Sequence, residues 1–471
     1  MGIQPRTAAL ITAGVAVTAG IGYMLYFDYK RRNDPTLKKK LRKEKKKAQK
    51  ELKKAEEQLK SSTRQVIDSV IEAAEKEVLP STPTDKEKYF MEKVALGEGF
   101  CNKGEAYYNE AVLPFYLALK VYPAPMELIM IYQKTVPEPV FQMIINVMAV
   151  DQQKRQNLFY EKFPPEETHV KLGELPAGKN EEGTPIVRRS LVADKDIVEG
   201  ELIYTERPLV SALYPDLEGT YCNLCLKPLT TENKVNCPDC DLVAFCSKEC
   251  FDHANEDYHQ YICSHNKSSA YIIKEADEAD EKNIALEFFE TSKSKNVKYP
   301  YMIARFLSSM VAEELRKQKT EEKSNETDFG AWDHIDRFRY LETTPNDDSK
   351  NEISMLKQVL GPKVQGINEF LSDEIYLMLK GKMLYNAYGV PASSEETDVR
   401  DSDEHIRKTN SDAKYIGAGL YKISTYIGQS ENAPNVKISF ENDTLSVTAT
   451  KDIKKGDEIL ASYTLPVPKK N

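Results

Sequence analysis

The sequence lacks most of the short patterns that mark a hydrolase or a nucleotide-driven enzyme. It contains no glycine-rich phosphate loop and no H-E-x-x-H, so neither P-loop nor zinc-protease chemistry has a carrier. The 6 histidines are scattered, and none stands at a spacing that argues for a nucleophile with its base. Positive charge is also scarce once one segment is set aside. The chain carries −9 in total, but residues 30–60 hold 15 Lys/Arg against 5 Asp/Glu, a net of +10, which leaves −19 for the rest. An acidic body of this kind repels nucleic acid and attracts cationic partners. No nucleic-acid partner is expected.

One long apolar run is present, from Thr7 to Phe27, and it carries no charge. At about 20 residues it matches the length needed to cross a hydrocarbon core as a helix. Gly14, Gly20 and Gly22 moderate its hydrophobicity, and Tyr23, Tyr26 and Tyr29 gather at one end, where rings favour the headgroup layer. A secretory signal carries its charge before the apolar run. Here only Arg6 precedes it and "KRRNDPTLKKKLRKEKKK" follows. Residues 1–29 therefore read as an uncleaved single-pass anchor with the basic flank in the cytosol. Residues 30–80 read as a basic helical stalk beside the lipid, since "KKAQKELKKAEEQLK" is rich in i,i+4 Glu–Lys pairs.

Downstream, three soluble stretches are expected. Residues 86–150 are helical and rich in aromatics. Residues 151–185, including "KFPPEETHVKLGELPAGKNEEGTP", read as a polar linker. From 186 to 463 strands open and close a domain whose middle, 283–390, is largely helical, and whose segment 222–263 is a cysteine cluster. "RKQKTEEKSNETDFG" and "SSEETDVRDSDEHIRKTNSD" read as polar, mobile insertions. The fold class is thus multidomain α+β.

Within the first soluble stretch, Gly97, Gly104, Ala111 and Ala118 alternate with Phe100, Tyr107, Phe115 and Leu119. This pattern lets two antiparallel helices approach closely, as in one tetratricopeptide-type repeat. The next helix, Met126 to Tyr132, is apolar nearly all round, so it is either core or one wall of a groove. Cys101 reads as a small buried hydrophobe.

Anchor, basic stalk, "ALGEGFCNKGEAYYNEA" and "TVPEPVFQM" together resemble the small, twenty-kilodalton-class presequence receptor of the mitochondrial outer-membrane translocase, over residues 1 to about 150. The resemblance implies a cytosolic tetratricopeptide-like domain holding the apolar face of a basic amphipathic presequence. It also implies other translocase (TOM complex) subunits as partners, and a single-pass outer-membrane location with the N-terminus toward the intermembrane space. The residues matching the family's groove are Phe90, Met91, Val94, Leu128, Ile131 and Tyr132, with Glu127 where the family tends to carry glutamine. A charge at Ile131 or Tyr132 is then expected to abolish presequence binding without unfolding the protein.

Seven of the 8 cysteines fall in one window: Cys222 and Cys225, Cys237 and Cys240, Cys246 and Cys250, then Cys263 with His259. C-x2-C, C-x3-C and H-x3-C are zinc spacings, and eight ligands make two closed sites. His253 and His265 are alternatives to His259. The order resembles a MYND zinc finger, which implies interleaved ligation: Cys222, Cys225, Cys246 and Cys250 on one Zn2+, and Cys237, Cys240, His259 and Cys263 on the other. Such fingers interrupt SET domains, and "SLVADKDIVEGELI", "NAYGV", "GAGLY" and the segment 432–463 resemble that split fold. Tyr463 stands in the place of the family's catalytic tyrosine.

The resemblance also implies what is missing. Arg188-Arg189-Ser190 replace the G-x-G turn against which the methyl donor packs, and Gly428-Gln429 replace an Asn-His pair. The cysteine-rich segment that usually follows the domain is absent, since the chain runs out at "TLPVPKKN". The expectation is a non-enzymatic receptor with a silent SET module and no use of S-adenosylmethionine. The alternative is a membrane-anchored protein-lysine methyltransferase.

Overall fold

A computed structural model describes residues 62–80, 83–122, 125–179, 183–265, 273–274, 281–320, 328–364, 367–393 and 404–465. The expected anchor, residues 1–29, and the stalk up to residue 61 lie outside the described residues. No helix among the described residues is long and apolar enough to cross a membrane. The chain divides into two compact units. One is built around residues 62–158 with 314–324 and 364–375, and the other comprises 159–313, 325–363 and 376 onward.

The first unit is helical: α1 Ser62–Lys76, α2 Pro83–Asn102, α3 Tyr108–Val121, α4 Pro125–Thr135 and the start of α5, Glu138–Lys162. Ile67, Val70, Ile71 and Ala74 recur at i, i+3, i+4 and i+7 and are buried. The last part of the expected stalk is therefore a core helix, because this apolar stripe begins where the lysine run ends. α3 is the central helix, with Ala111, Val112, Phe115, Tyr116 and Leu119 all buried. Gly97 on α2 faces it: a Cβ there would lie 2.8 Å from the Phe115 ring. Glycine is what permits that approach. The two helices turn at Gly104, whose φ of 99° favours glycine. Tyr116 Oη donates to Asp151 Oδ2 at 2.5 Å and ties α3 to α5.

In the second unit, the stretch expected as a linker is ordered structure. α5 continues to Lys162, and its Phe159 joins Phe163 in the unit's core. β1, Val170–Lys179, then pairs antiparallel with β2, Pro185–Ala193. Val170 and Leu172 alternate inward, and a Cβ on Gly173 would meet Val192 at 2.9 Å. Glu174 sits opposite Arg189 and accepts its hydrogen bond at 2.6 Å. The strand was hidden because most of its residues face solvent, so only two apolar side chains mark the alternation.

The rest is β3 Leu202–Glu206, β4 Val210–Leu213, β5 Val235–Asn236, β6 Ala244–Phe245, α6 Lys248–Ala254, and a helical middle. That middle is α7 Ile284–Lys295, α8 Tyr299–Thr320, α9 Ala331–Arg337, α10 Asp347–Leu360 and α11 Asp373–Asn386. The closing strands are β7 Tyr388–Pro391, β8 Tyr415–Leu420, β9 Gly428–Gln429, β10 Val436–Glu441, β11 Thr444–Ala449 and β12 Leu460–Ala461. One sheet runs β4-β8-β7 and another β9-β12-β10-β11-β3. β12 is thereby inserted between β9 and β10, parallel to both. That insertion carries Tyr463 to the loop ahead of β9. Glu206 fixes this loop from below by accepting from the Ile423 and Ser424 amides at 2.7 and 3.0 Å. Burial pushes the Glu206 carboxyl up despite those bonds.

Candidate functional site: two thiol clusters and an arginine-lined cavity

The eight expected metal ligands form two groups. Cys222, Cys225, Cys246 and Cys250 make one; Cys237, Cys240, His259 and Cys263 make the other, and within each group all ligand atoms lie within 4.8 Å of one another. In the first, Cys246 Sγ is 3.6 Å from Cys225 Sγ and 3.5 Å from Cys250 Sγ. In the second, His259 Nε2 is 3.3 Å from Cys237 Sγ and 3.9 Å from Cys240 Sγ. Ligands at about 2.3 Å from a tetrahedral ion stand about 3.8 Å apart, so four thiols, or three thiols with an imidazole, at these separations fit zinc. No cysteine is in a disulfide. Of the alternatives, His265 turns its Nδ1 to the Cys263 carbonyl at 2.9 Å, and His253 is in neither group.

Local sequence explains how the ligands are held. Ser247 caps α6 by accepting from the Cys250 amide, which sets that thiol at the helix start. Leu226 adopts a φ of 59° as the Cys222 to Cys225 turn closes. Arg305, on α8, donates to the carbonyls of Ser211 and Asn223 at 2.8 and 2.9 Å and pairs with buried Glu218 at 3.6 Å. This anchors the cluster segment to the sheet. Lys363 adds a second tie, donating to the Tyr261 carbonyl at 2.9 Å.

A cavity of about 450 Å³ opens on the other side of the β9-β12 edge. Three segments far apart in sequence meet there: Arg188-Arg189-Ser190, Gly428-Gln429 and Tyr463. Arg188 grips Glu458 with two bonds, Nη1 to Oε1 at 2.5 Å and Nη2 to Oε2 at 2.8 Å. Ser190 Oγ donates to the same Oε1 at 2.6 Å. Burial would raise the Glu458 carboxyl, but these donors more than offset it and hold it below the ordinary range. Gly428 makes room for this carboxylate: a Cβ there would lie 2.3 Å from Glu458 Oε1. Gly428→Ala is accordingly expected to destabilise the second unit by about 1–3 kcal/mol through overpacking. Thermal unfolding reads this as a lowered Tm. An unchanged Tm would mean that Glu458 swings aside freely.

Tyr463 is buried and donates to the Ile427 carbonyl at 2.8 Å. Burial pushes its hydroxyl pKa up. Over its ring, 5.0 Å from the centroid, lies the guanidinium of Arg407, which also faces the rings of Tyr388 and Tyr385. Arg407 belongs to a stretch expected as a mobile polar insertion, yet it is 2 % exposed. Glu404, in the same stretch, pairs with buried Lys298 at 3.2 Å. Those two ties hold the part of the stretch from residue 404 on, while residues 394–403 lie outside the described residues, and a run of charged residues gives no sequence signal of such long-range partners. Arg337, Arg339, Tyr426 and Tyr160 also line the cavity, and sequence reasoning missed all four. They come from α9 and its exit, from the loop before β9 and from α5, which no spacing rule connects.

The expected groove residues divide. Leu128 and Tyr132 are core residues, 3 % and 2 % exposed, and Tyr132 packs edge-on against Phe115 at 5.0 Å. A charge at Tyr132 would unfold the unit, which corrects the expectation of an intact fold. Phe90 and Val94 are partly buried, with Phe90 packed 4.8 Å from the Tyr122 ring. Met91 and Ile131 are exposed at 62 % and 48 %, as are Leu96 and Met130.

Comparison with known proteins follows this division of the chain. The "MAS20 protein import receptor" family matches residues 10–161, and the "SET domain" family matches residues 188–464. The mitochondrial import receptor subunit tom20 of Neurospora crassa is 43% identical over 142 residues, 30% of this chain and 78% of the relative. The corresponding subunit TOM20 of Saccharomyces cerevisiae is 37% identical over 141 residues, 30% of this chain and 76% of the relative. A SET and MYND domain-containing protein of Dictyostelium discoideum is 23% identical over 272 residues, 56% of this chain and 69% of the relative. The chain therefore belongs to the MAS20 import-receptor family through its N-terminal part and to the SET-domain family through its C-terminal part, the two joined in one polypeptide.

Proposed function

We propose that this chain is a receptor for protein import at the mitochondrial outer membrane. Its N-terminal helical unit takes the apolar face of a basic, amphipathic presequence, and its SET domain transfers no methyl group. The observation that carries the receptor reading is α4, in a unit 43% identical to an import receptor subunit. It anchors itself through Leu128 and Tyr132 and leaves Met130 and Ile131 uncovered among the described residues. An unbranched thioether beside a branched aliphatic suits a surface that must accept many sequences. The acidic remainder of the chain speeds encounter with a cationic peptide. Residues 1–29 anchor the receptor in the lipid with its bulk in the cytosol, other subunits of the translocase are its partners, and Zn2+ closes both thiol clusters. Titration of a labelled presequence peptide into the full chain tests the receptor reading, and a peptide that does not bind would remove it.

The silent-SET reading rests on the cavity. A guanidinium stands at position 188, where the resemblance calls for glycine against the donor. Arg407 already occupies the ring faces of Tyr463 and Tyr388, which a substrate ammonium would need. The competing reading, a lysine methyltransferase, is favoured by Tyr463 lining a cavity of ligand size. Calorimetric titration of the zinc-loaded full chain with S-adenosylmethionine separates them. We expect no saturable heat; saturable binding with methyl transfer to a protein lysine would overturn the silent reading.

A further inference from the structure

The arginine-lined cavity has been rebuilt around charge. Arg188 needs Glu458 as its partner, and Glu458 needs the absence of a side chain at position 428. These three positions fit one another and form a site with its own electrostatics. Five arginines line it, Arg188, Arg189, Arg337, Arg339 and Arg407, and among the described residues no carboxylate does.

Carboxylates behind the wall answer three of the five. Glu458 holds Arg188, Glu174 holds Arg189, and Asp333 stands 3.7 Å from Arg337. Arg407 is buried, yet it meets only neutral acceptors: the carbonyls of Tyr385 and Thr425, the Tyr388 hydroxyl and Asn386 Oδ1. Arg339 is exposed at the mouth and forms no close ion pair among the described residues, although the Glu458 carboxylate acts on it from farther off. Two cavity-lining residues each carry a donor without an acceptor: the Nε of Arg337 and the hydroxyl of Tyr426 are both buried and unpartnered. Asp336 lies close enough to act electrostatically on the Tyr426 hydroxyl.

A buried guanidinium without a counter-ion and two orphaned donors are each costly to maintain. A single ligand answers all of them if it brings two negative charges and more acceptor oxygens than a carboxylate has. A phosphate does. The remaining wall is aromatic, with Tyr160, Phe338, Tyr385 and Tyr463 around the arginines, and a planar base stacks on such rings. We propose that this cavity binds a small organic phosphate of nucleoside-monophosphate size, with the phosphate at Arg339, Arg407, Arg337 Nε and Tyr426. The assignment rests on the reading that the cavity holds no methyl donor; a sulfonium cation would meet five arginines.

The test uses the full chain, zinc-loaded, in detergent at low ionic strength, titrated separately with inorganic phosphate, adenosine monophosphate and S-adenosylmethionine. Adenosine monophosphate is expected to bind, inorganic phosphate to compete with it more weakly, and added salt to weaken both. Arg339→Ala should weaken binding about tenfold through loss of a charge-assisted contact. Tyr426→Phe removes a hydroxyl that has no partner in the free protein, so it leaves folding intact and weakens binding severalfold. Absence of heat with both phosphates overturns the proposal, as does affinity unchanged in both variants. Heat with S-adenosylmethionine but with neither phosphate overturns this proposal together with the reading that the cavity holds no methyl donor. Absence of heat with all three overturns this one alone.

Discussion

Chelation of the zinc-loaded chain is expected to release two zinc ions per molecule and to unfold the segment from Cys222 to Cys263. Beyond the ties from Arg305 and Lys363 and the helical run that begins with α6 and continues to Ile262, the segment has little regular structure. Its strands β5 and β6 are two residues each and α6 spans seven. Structural zinc contributes on the order of 10–16 kcal/mol of apparent binding energy at neutral pH, against roughly 5–15 kcal/mol for an entire domain. The loss should spread. Arg305 and Glu218 are buried as a pair whose geometry depends on the Asn223 turn, and breaking a buried pair is strongly destabilising. Metal content also tests the ligand sets. A Cys222→Ser, Cys246→Ser double variant should lose one ion of two, whereas Cys222→Ser with Cys240→Ser should lose both. The opposite pattern, read by metal analysis, would dismiss the interleaved arrangement.

On α4, neighbouring residues should respond in opposite ways. Ile131→Glu is expected to weaken presequence-peptide binding by about tenfold or more, because an anchor at a binding surface is replaced by a solvated charge. Its stability should stay within the range of ordinary surface substitutions, about ±0.5 kcal/mol. Tyr132→Ala is expected to cost about 3–5 kcal/mol, as for other large aromatics removed from a core, since Tyr132 is 2 % exposed and packs on Phe115. Fluorescence anisotropy with a labelled basic amphipathic peptide gives the first quantity and thermal unfolding the second. An Ile131→Glu protein that binds as tightly as the parent would remove α4 from the binding surface.

The two groups of candidate metal ligands were legible in sequence because a closed zinc shell is a local device: C-x2-C and C-x3-C each put two thiols on one turn, and only the pairing of halves is non-local. Much of the helical unit was legible for a related reason. Gly97, Ala111 and the apolar residues of α3 state a helix–helix contact at short range, whereas α1 was expected as part of the stalk. β1 was not legible, since a strand with one half-covered face offers only Val170 and Leu172 as signal. Nor was the inward turn of Leu128 and Tyr132, because an all-apolar helix does not say which of its faces is covered.

The sequence by itself determined which donor atoms are available for two metal ions and where the helices lie in the N-terminal part, and it pointed to positions 188–190 and 428–429 as places to look for a site. The tertiary structure decided what stands around them. Only when β12 is threaded between β9 and β10 do Arg188, Glu458 and Gly428 come together, and only then does Arg407, from an acidic insertion, lie over Tyr463. The physical reason is range. Helix stripes and thiol pairs act within one or two turns of chain, whereas a cavity is built from residues hundreds of positions apart, and its charge balance does not exist until the fold closes.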